Sequence, residues 1–240
     1  MAELKEIVSW KIPALGGRDA ETNLMVLELL ALEGPQTAWK TNSMLGRNRK
    51  QYPTIFRAIV RLRKWGYLAK TGTVKMEKKK GRTPTFGVSW RGLLASLASD
   101  KVCTNILDVL NKNDQLDLPI PRDVFLDLAK ALWSSEQIQE ITMSLFESLV
   151  NTIPHDIEST PDEVLLGYLV PALIDAAPVL ENIMPKETTE LLKYPKLQDW
   201  FEELIAKEAA RLQRDLTRIE EAKRWLSDLR SQGKPEVGSA

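Results

Sequence analysis

The sequence is short of the residues on which most enzymes and secreted proteins depend. Its 240 residues hold one cysteine, Cys103, and one histidine, His155. A single cysteine excludes an internal disulfide and fits a reducing compartment. A zinc site would have to be built mainly from carboxylates, which structural zinc seldom uses. A Ser-His-Asp or Cys-His mechanism would have to use His155. That residue sits in Asn151-Thr152-Ile153-Pro154-His155-Asp156, the composition of an interhelix loop, and reads as a solvated imidazole. Neither common glycine-rich phosphate loop occurs. Adjacent carboxylates such as Asp162 with Glu163 and Glu202 with Glu203 diverge on a helix and read as solvated faces. No apolar run reaches the ~18–20 residues of a membrane span. Residues 1–13 lack the long apolar stretch of an export signal. The expectation is a cytoplasmic protein, not an enzyme, that takes no cofactor and binds no metal.

Acids are missing from one long stretch. Between Ala38 and Arg91 there are fifteen basic residues and one acid, Glu77. The whole chain has 33 of each sign, so a neutral total hides a strongly cationic segment joined to acidic ones. Such a concentration of charge repels itself, and its commonest purpose is a polyanion.

Composition divides the chain. Residues 1–18, ending in Gly16-Gly17-Arg18, read as a flexible arm, and 19–99 contain the basic stretch. Residues 100–194 are acidic and helix-patterned, 195–232 a single long helix and 233–240 a disordered tail. Periodicity places helices over about 19–32, 36–45 and 53–65. Asp19 is placed to cap the first. Gly34-Pro35, Gly46 and Gly66 end the three, and Pro53 suits a first helical turn. Strand formers over Tyr67–Met76 and Thr85–Trp90 predict a hairpin with a polar tip between them. A fourth helix begins near Arg91. The later spacing predicts helices over 101–112, 121–133, 135–153, 161–183 and 195–232. Thr160-Pro161-Asp162-Glu163 is a strong start signal, and Ser134-Ser135-Glu136-Gln137 a weaker one. Pro171 and Pro178 kink or split 161–183. The fold class is mainly α.

Four segments then carry a resemblance. They are Leu32-Glu33-Gly34-Pro35, Tyr52–Leu62, Lys64-Trp65-Gly66-Tyr67-Leu68 and Phe86–Leu94. In that order, residues about 20–98 resemble the winged helix-turn-helix transcriptional regulators of prokaryotes, of the broad MarR-like and PadR-like type. The resemblance implies a DNA-binding winged helix whose third helix enters the major groove. No comparable resemblance extends over 100–240.

At about 100° per residue, Ile55, Ala58, Ile59 and Leu62 share one face of that helix. Thr54, Arg57, Arg61 and Lys64 lie opposite, and Phe56 and Val60 sit on the flank. Arg suits bidentate contact with guanine O6 and N7. Lys50, Gln51, Tyr52 and Thr54 are placed for base edges or phosphates. Lys78, Lys79, Lys80 and Arg82 at the hairpin tip suit phosphates or the minor groove. Tyr52, Trp65, Tyr67, Phe86 and Trp90 read as core rather than as a stacking platform for single strands. The expected partner is double-stranded DNA, read with sequence preference by a nucleoid-associated transcriptional regulator. The alternative is a winged-helix protein-interaction adaptor or chromosome-organising component without sequence reading.

In the last helix Ile205, Leu212, Ile219 and Leu226 recur every seven residues, and Ala209 and Leu216 fill the intervening series until Lys223 breaks it. Their spacing is that of a coiled-coil seam. At ~1.5 Å per residue the helix would be ~55 Å long. Homodimerisation through these residues is expected, the alternative being a helix folded back on 100–195. The acidic half is left as a scaffold, an effector domain or a surface for a protein partner.

Overall fold

Glycines 34, 46 and 66 adopt φ of 72°, 66° and 82° and end the first three helices. The computed structural model describes residues 8, 10–75, 81–116, 122–168, 171–172 and 195–232. Helix α1 spans Ala20–Glu33, α2 Ala38–Met44 and α3 Tyr52–Lys64. Val26, Leu27, Leu30 and Ala31 of α1 are buried with Ile55, Ala58, Ile59 and Leu62 of α3, the face the 3.6-residue period selects. Asp19 stands at the start of α1, yet its side chain makes no cap there and pairs with Arg61 instead. Thr37 caps α2 by accepting from Lys40 N at 3.2 Å.

The hairpin is formed by β2, Leu68–Lys75, and β3, Arg82–Val88. A further strand, β1 (Gln36–Thr37), pairs with β3 so that Gln36 faces Phe86, giving the antiparallel order β1-β3-β2. The register of β2 shifts between Lys70 and Gly72, and such a bulge increases local twist. Helix α4, Trp90–Ser96, follows at once. Ser89 accepts from Gly92 N at 3.1 Å and donates to Gly66 O at 2.5 Å. The start of α4 lies so close to the backbone just ahead of β2 that a Cβ at Gly92 would sit 1.9 Å from Tyr67 O.

The helix expected over 101–112 is two, α5 (Asp100–Thr104) and α6 (Ile106–Lys112). Asn105, at φ −111° and ψ 23°, separates them, and its amide donates to Lys101 O at 2.8 Å. This is the local competition by which asparagine interrupts helices. Helices α7 (Arg122–Leu132), α8 (Ser135–Thr152) and α9 (Asp162–Gly167) follow. The weaker start signal forms a complete capping box between Ser134 and Gln137. In the stronger one, the Thr160 hydroxyl turns back to donate to Asp156 O at 2.8 Å. Residues 169–170 and 173–183 of the helix expected over 161–183, and the tail 233–240, lie outside the described residues.

Two expectations about organisation are corrected. The arm is not a free one over its described residues: Ile12 and Ala14 are fully buried, and Asn23 donates to Ala14 O at 2.7 Å. Lys11 O accepts from Ile157 N at 2.8 Å, and Lys11 Nζ donates to Ile153 O. Nor is residue 99 a boundary. Glu28 on α1 accepts from Ser99 Oγ at 2.7 Å and from Lys101 Nζ at 2.9 Å. Asn113 donates to Ala31 O, and Lys112 to Leu32 O, both at 2.8 Å. The chain divides into compact units Met1–Leu197 and Gln198–Ala240. Helix α10, Pro195–Gln232, matches the expected span. Among the described residues no helix is long and apolar enough to cross a membrane.

Candidate nucleic-acid interface

The turn into α3 is fixed by short-range polar contacts. Asn48 Oδ1 accepts from Lys50 N at 2.9 Å and from Gln51 N at 3.2 Å, while Gln51 Oε1 accepts from Asn48 N at 3.0 Å. Buried Asn42 donates to Arg47 O at 3.0 Å. Of the helix-start residues, Gln51 therefore spends its carbonyl on the cap. Lys50 and Thr54 present exposed side chains.

On the outward face of α3, Arg57 and Lys64 are exposed. Arg57 Nε donates to Pro53 O at 3.2 Å, within its own helix. Arg61 differs from the expectation. Its guanidinium donates to Asp19 Oδ2 at 2.5 Å and to Asn23 Oδ1 at 2.8 Å, and it lies 5.5 Å from the centre of the Trp65 ring. It is half-buried between α3 and the start of α1, because a long side chain can reach an acid that helical periodicity does not reveal. Its placement is that of a structural tie.

Among the described residues, Lys40, Arg49, Lys50, Arg57, Arg63, Lys64, Lys70, Lys75 and Arg82 form no ion pair and are exposed. Lys75 and Arg82 face each other across the hairpin register, a like-charge pair that weakens a sheet. Lys78, Lys79 and Lys80 lie outside the described residues.

The aromatics divide. Tyr67 and Phe86 are buried, and Trp65 and Trp90 pack on the core. Tyr52 does so too, and its ring also continues outward. It lies 5.4 Å from the Trp39 ring and 5.9 Å from the Phe56 ring, the latter stacked at 28°. Trp39 and Phe56 are 44% and 43% exposed, and Val60 is 50% exposed. Sequence reasoning passed over Trp39, Arg49 and Arg63. Their signal was position: Trp39 falls on the outer side of a seven-residue helix, and Arg63 stands near Phe56 on the helical wheel of α3.

His155 is exposed in the loop after α8. Cys103 is buried and donates to Leu97 O at 3.1 Å, and burial pushes its thiol up to about 11. Tyr67 donates to Glu158 Oε1 at 3.0 Å. Burial, then the charge of Glu158, drives that phenol well above its ordinary range, and burial also raises Glu158. Arg91 donates to Glu158 O at 3.2 Å and to Thr160 O at 2.8 Å, so this cluster ties the hairpin base to the loop after α8.

In the second unit, Ile205, Leu212, Leu216, Ile219 and Leu226 of α10 are all exposed. Their helix carries internal ion pairs, Lys207 with Glu203 at 2.6 Å and Arg211 with Asp215 at 3.7 Å.

Comparison of the chain with protein-family models, with characterised proteins and with solved structures gave no significant match.

Proposed function

We propose that the chain is a sequence-preferring duplex DNA-binding protein, most simply a transcriptional regulator. Helices α1–α3 with the β2–β3 hairpin serve as a winged helix-turn-helix, α3 as recognition helix and the hairpin as wing. One observation carries the reading. Exposed cations at the start of α3, along its outer face and on the hairpin have no acidic partner among the described residues. A surface meant only for water mixes both signs; this one is complementary to phosphates. Arg57, Lys64, Lys50 and Thr54 are the contacts assigned to α3, and Lys70, Lys75 and Arg82 those of the hairpin, with Lys78, Lys79 and Lys80 carried from the sequence. Gln51 and Arg61 position α3.

The protein acts as a homodimer through α10. The seven-residue spacing of exposed Ile205, Leu212, Ile219 and Leu226 supports a coiled-coil seam. A dimer presents two recognition helices to half-sites about one duplex turn, roughly 34 Å, apart. A Leu212→Glu chain should sediment at half the mass of the wild type; equal masses remove the dimer.

The test of function is duplex binding by the full chain across a salt series. Engaging about 6–8 phosphates per protomer gives a log-log slope of roughly −5 to −7. A slope near zero refutes the reading. It would leave the second reading, a winged-helix protein-interaction adaptor or chromosome-organising component without sequence reading.

A further inference from the structure

We propose that α3 reads the 5-methyl groups of thymine through Phe56 and Val60. The preferred duplexes would then be thymine-rich where α3 lies in the groove. This rests on the duplex-DNA reading above and adds the chemical feature that the site recognises.

Phe56 and Val60 are the apolar part of an otherwise cationic helix face, and both are about half exposed. Four residues apart, they stand about 40° apart around α3 and ~6 Å apart along it. On the same wheel Val60 falls between Phe56 and Arg57. Arg57, Arg63 and Lys64 flank the pair, and all three are exposed. Lys50 and Arg49 precede it at the helix start. No acid occurs on α3.

A protein-docking surface would look different, since interface centres are depleted of charge. The major groove has this mixture. Phosphates run along both rims, and the thymine methyl is the apolar group that base edges present there. Cations on the flanks meet the rims while the apolar pair meets the floor. The ~6 Å separation along α3 is close to two base-pair steps of about 3.4 Å each.

The Phe56 ring is also held in advance. It stacks on Tyr52, which packs on Trp39. Fixing a side chain before binding removes an ordering cost from the bound state. The same stacking covers ring faces that a single-strand binder would leave open to bases.

The experiment uses the full chain and a pool of random duplexes. Duplexes retained by the wild type are identified and remade with deoxyuridine in place of thymidine. That exchange deletes one methyl per base and preserves pairing. Each contacted methyl should be worth about fourfold in Kd, the value of one buried methylene-sized group, so loss of two weakens binding about 15-fold. The Phe56→Ala/Val60→Ala double variant should bind thymidine and deoxyuridine duplexes alike while keeping the wild-type salt slope. Val60→Ala alone, at a position outside the Trp39–Tyr52–Phe56 stack, should lose about half of the discrimination on the logarithmic scale.

Two results overturn the inference and leave duplex binding standing. One is a wild type indifferent to deoxyuridine; the other is a double variant that discriminates as well as the wild type. Absence of salt-dependent binding to any duplex, or equal binding of the single strands, overturns the DNA reading itself and the inference with it.

Discussion

On the duplex-binding proposal, Arg61 builds the site and Arg57 touches the ligand. Replacing Arg61 with alanine removes a donor to Asn23 Oδ1 at 2.8 Å and a pair with Asp19 at 2.5 Å. Asn23 is only 2% exposed, so its carbonyl is left with a poor substitute. An unsatisfied buried acceptor costs about 1–3 kcal/mol. The Asp19 carboxylate is more than half exposed, and screening limits that pair to under about 1 kcal/mol. Loss of the Trp65 contact adds about 0.5–1 kcal/mol. Against this, Arg61 Nε is itself buried without a partner, so its removal relieves a penalty of about 1 kcal/mol or more. The balance is a destabilisation of about 2 kcal/mol, or about 4–8 °C in Tm for a domain of this size. Urea unfolding and duplex titration of the same preparations are the assay. Arg61→Ala should lower stability by that amount and leave the salt slope of binding unchanged. Arg57→Ala should do the reverse, weakening binding at a cost within about 0.5 kcal/mol of wild-type stability. A stable Arg61→Ala chain whose salt slope falls by about 1 would show that Arg61 meets phosphate and would refute this assignment.

Gly92→Ala should be among the most damaging single changes, because the new Cβ would lie 1.9 Å from the backbone oxygen of Tyr67. A loss of about 3 kcal/mol or more in urea unfolding is expected, and an unchanged midpoint would contradict the close packing of α4 on the Tyr67 backbone. Cys103, its thiol raised to about 11 by burial, should resist maleimide at neutral pH and react in denaturant; rapid labelling of the folded chain would contradict its burial. Burial pushes Glu28 upward, but the hydrogen bonds from Lys101 and Ser99 outweigh it and hold the carboxyl below its ordinary value. Its folded pKa is thus below its unfolded one, so its contribution is present above the unfolded value and lost as pH falls through the folded value. Glu28→Gln should flatten the acid side of a stability-against-pH curve, and an unaltered curve would contradict that assignment.

The helices were legible wherever one segment carried its own signal. The extents of α1, α3 and α10 agree with the helical period to within a residue or so. The leucines of α1 and the glycines after the first three helices are local instructions, and α10 repeats its own every seven residues. What sequence reasoning missed depends on partners far away in the chain. Strand β1 is two residues long and exists because Gln36 meets Phe86. The arm is ordered because Ile12 and Ala14 are buried and Asn23 holds Ala14 O. Arg61 lies on the outer half of the α3 wheel, as expected, yet Asp19, 42 residues earlier, draws it back. In the candidate site, the cations of α3 and the hairpin were legible from charge alone. The apolar stripe was not, since the helical period puts Phe56 and Val60 only on the flank of α3 and no motif marks Trp39.

The charge arrangement also explains why the hairpin keeps an unfavourable pair. Lys75 and Arg82 stand opposite one another at the turn end of the hairpin, the last register pair of the described strands. Like charges directly opposite weaken a sheet, where an opposite-charge or threonine pair contributes about 0.2–1 kcal/mol. Lys70 and Lys64 add further repulsion nearby in sequence, and no acid among the described residues compensates it. A sequence shaped for stability alone would place glutamate at one of these positions. Keeping the field positive costs the free protein some stability and strengthens its attraction for a polyanion at long range. Local rules are broken in this way mainly at functional sites. The hairpin is anchored elsewhere to allow it: Tyr67 at its base is fully buried and bonded to Glu158, and Arg91 just beyond β3 holds the same loop. Rigidity is supplied at the base and charge at the tip, so the strand ends can carry repulsion that a free two-stranded ribbon could not.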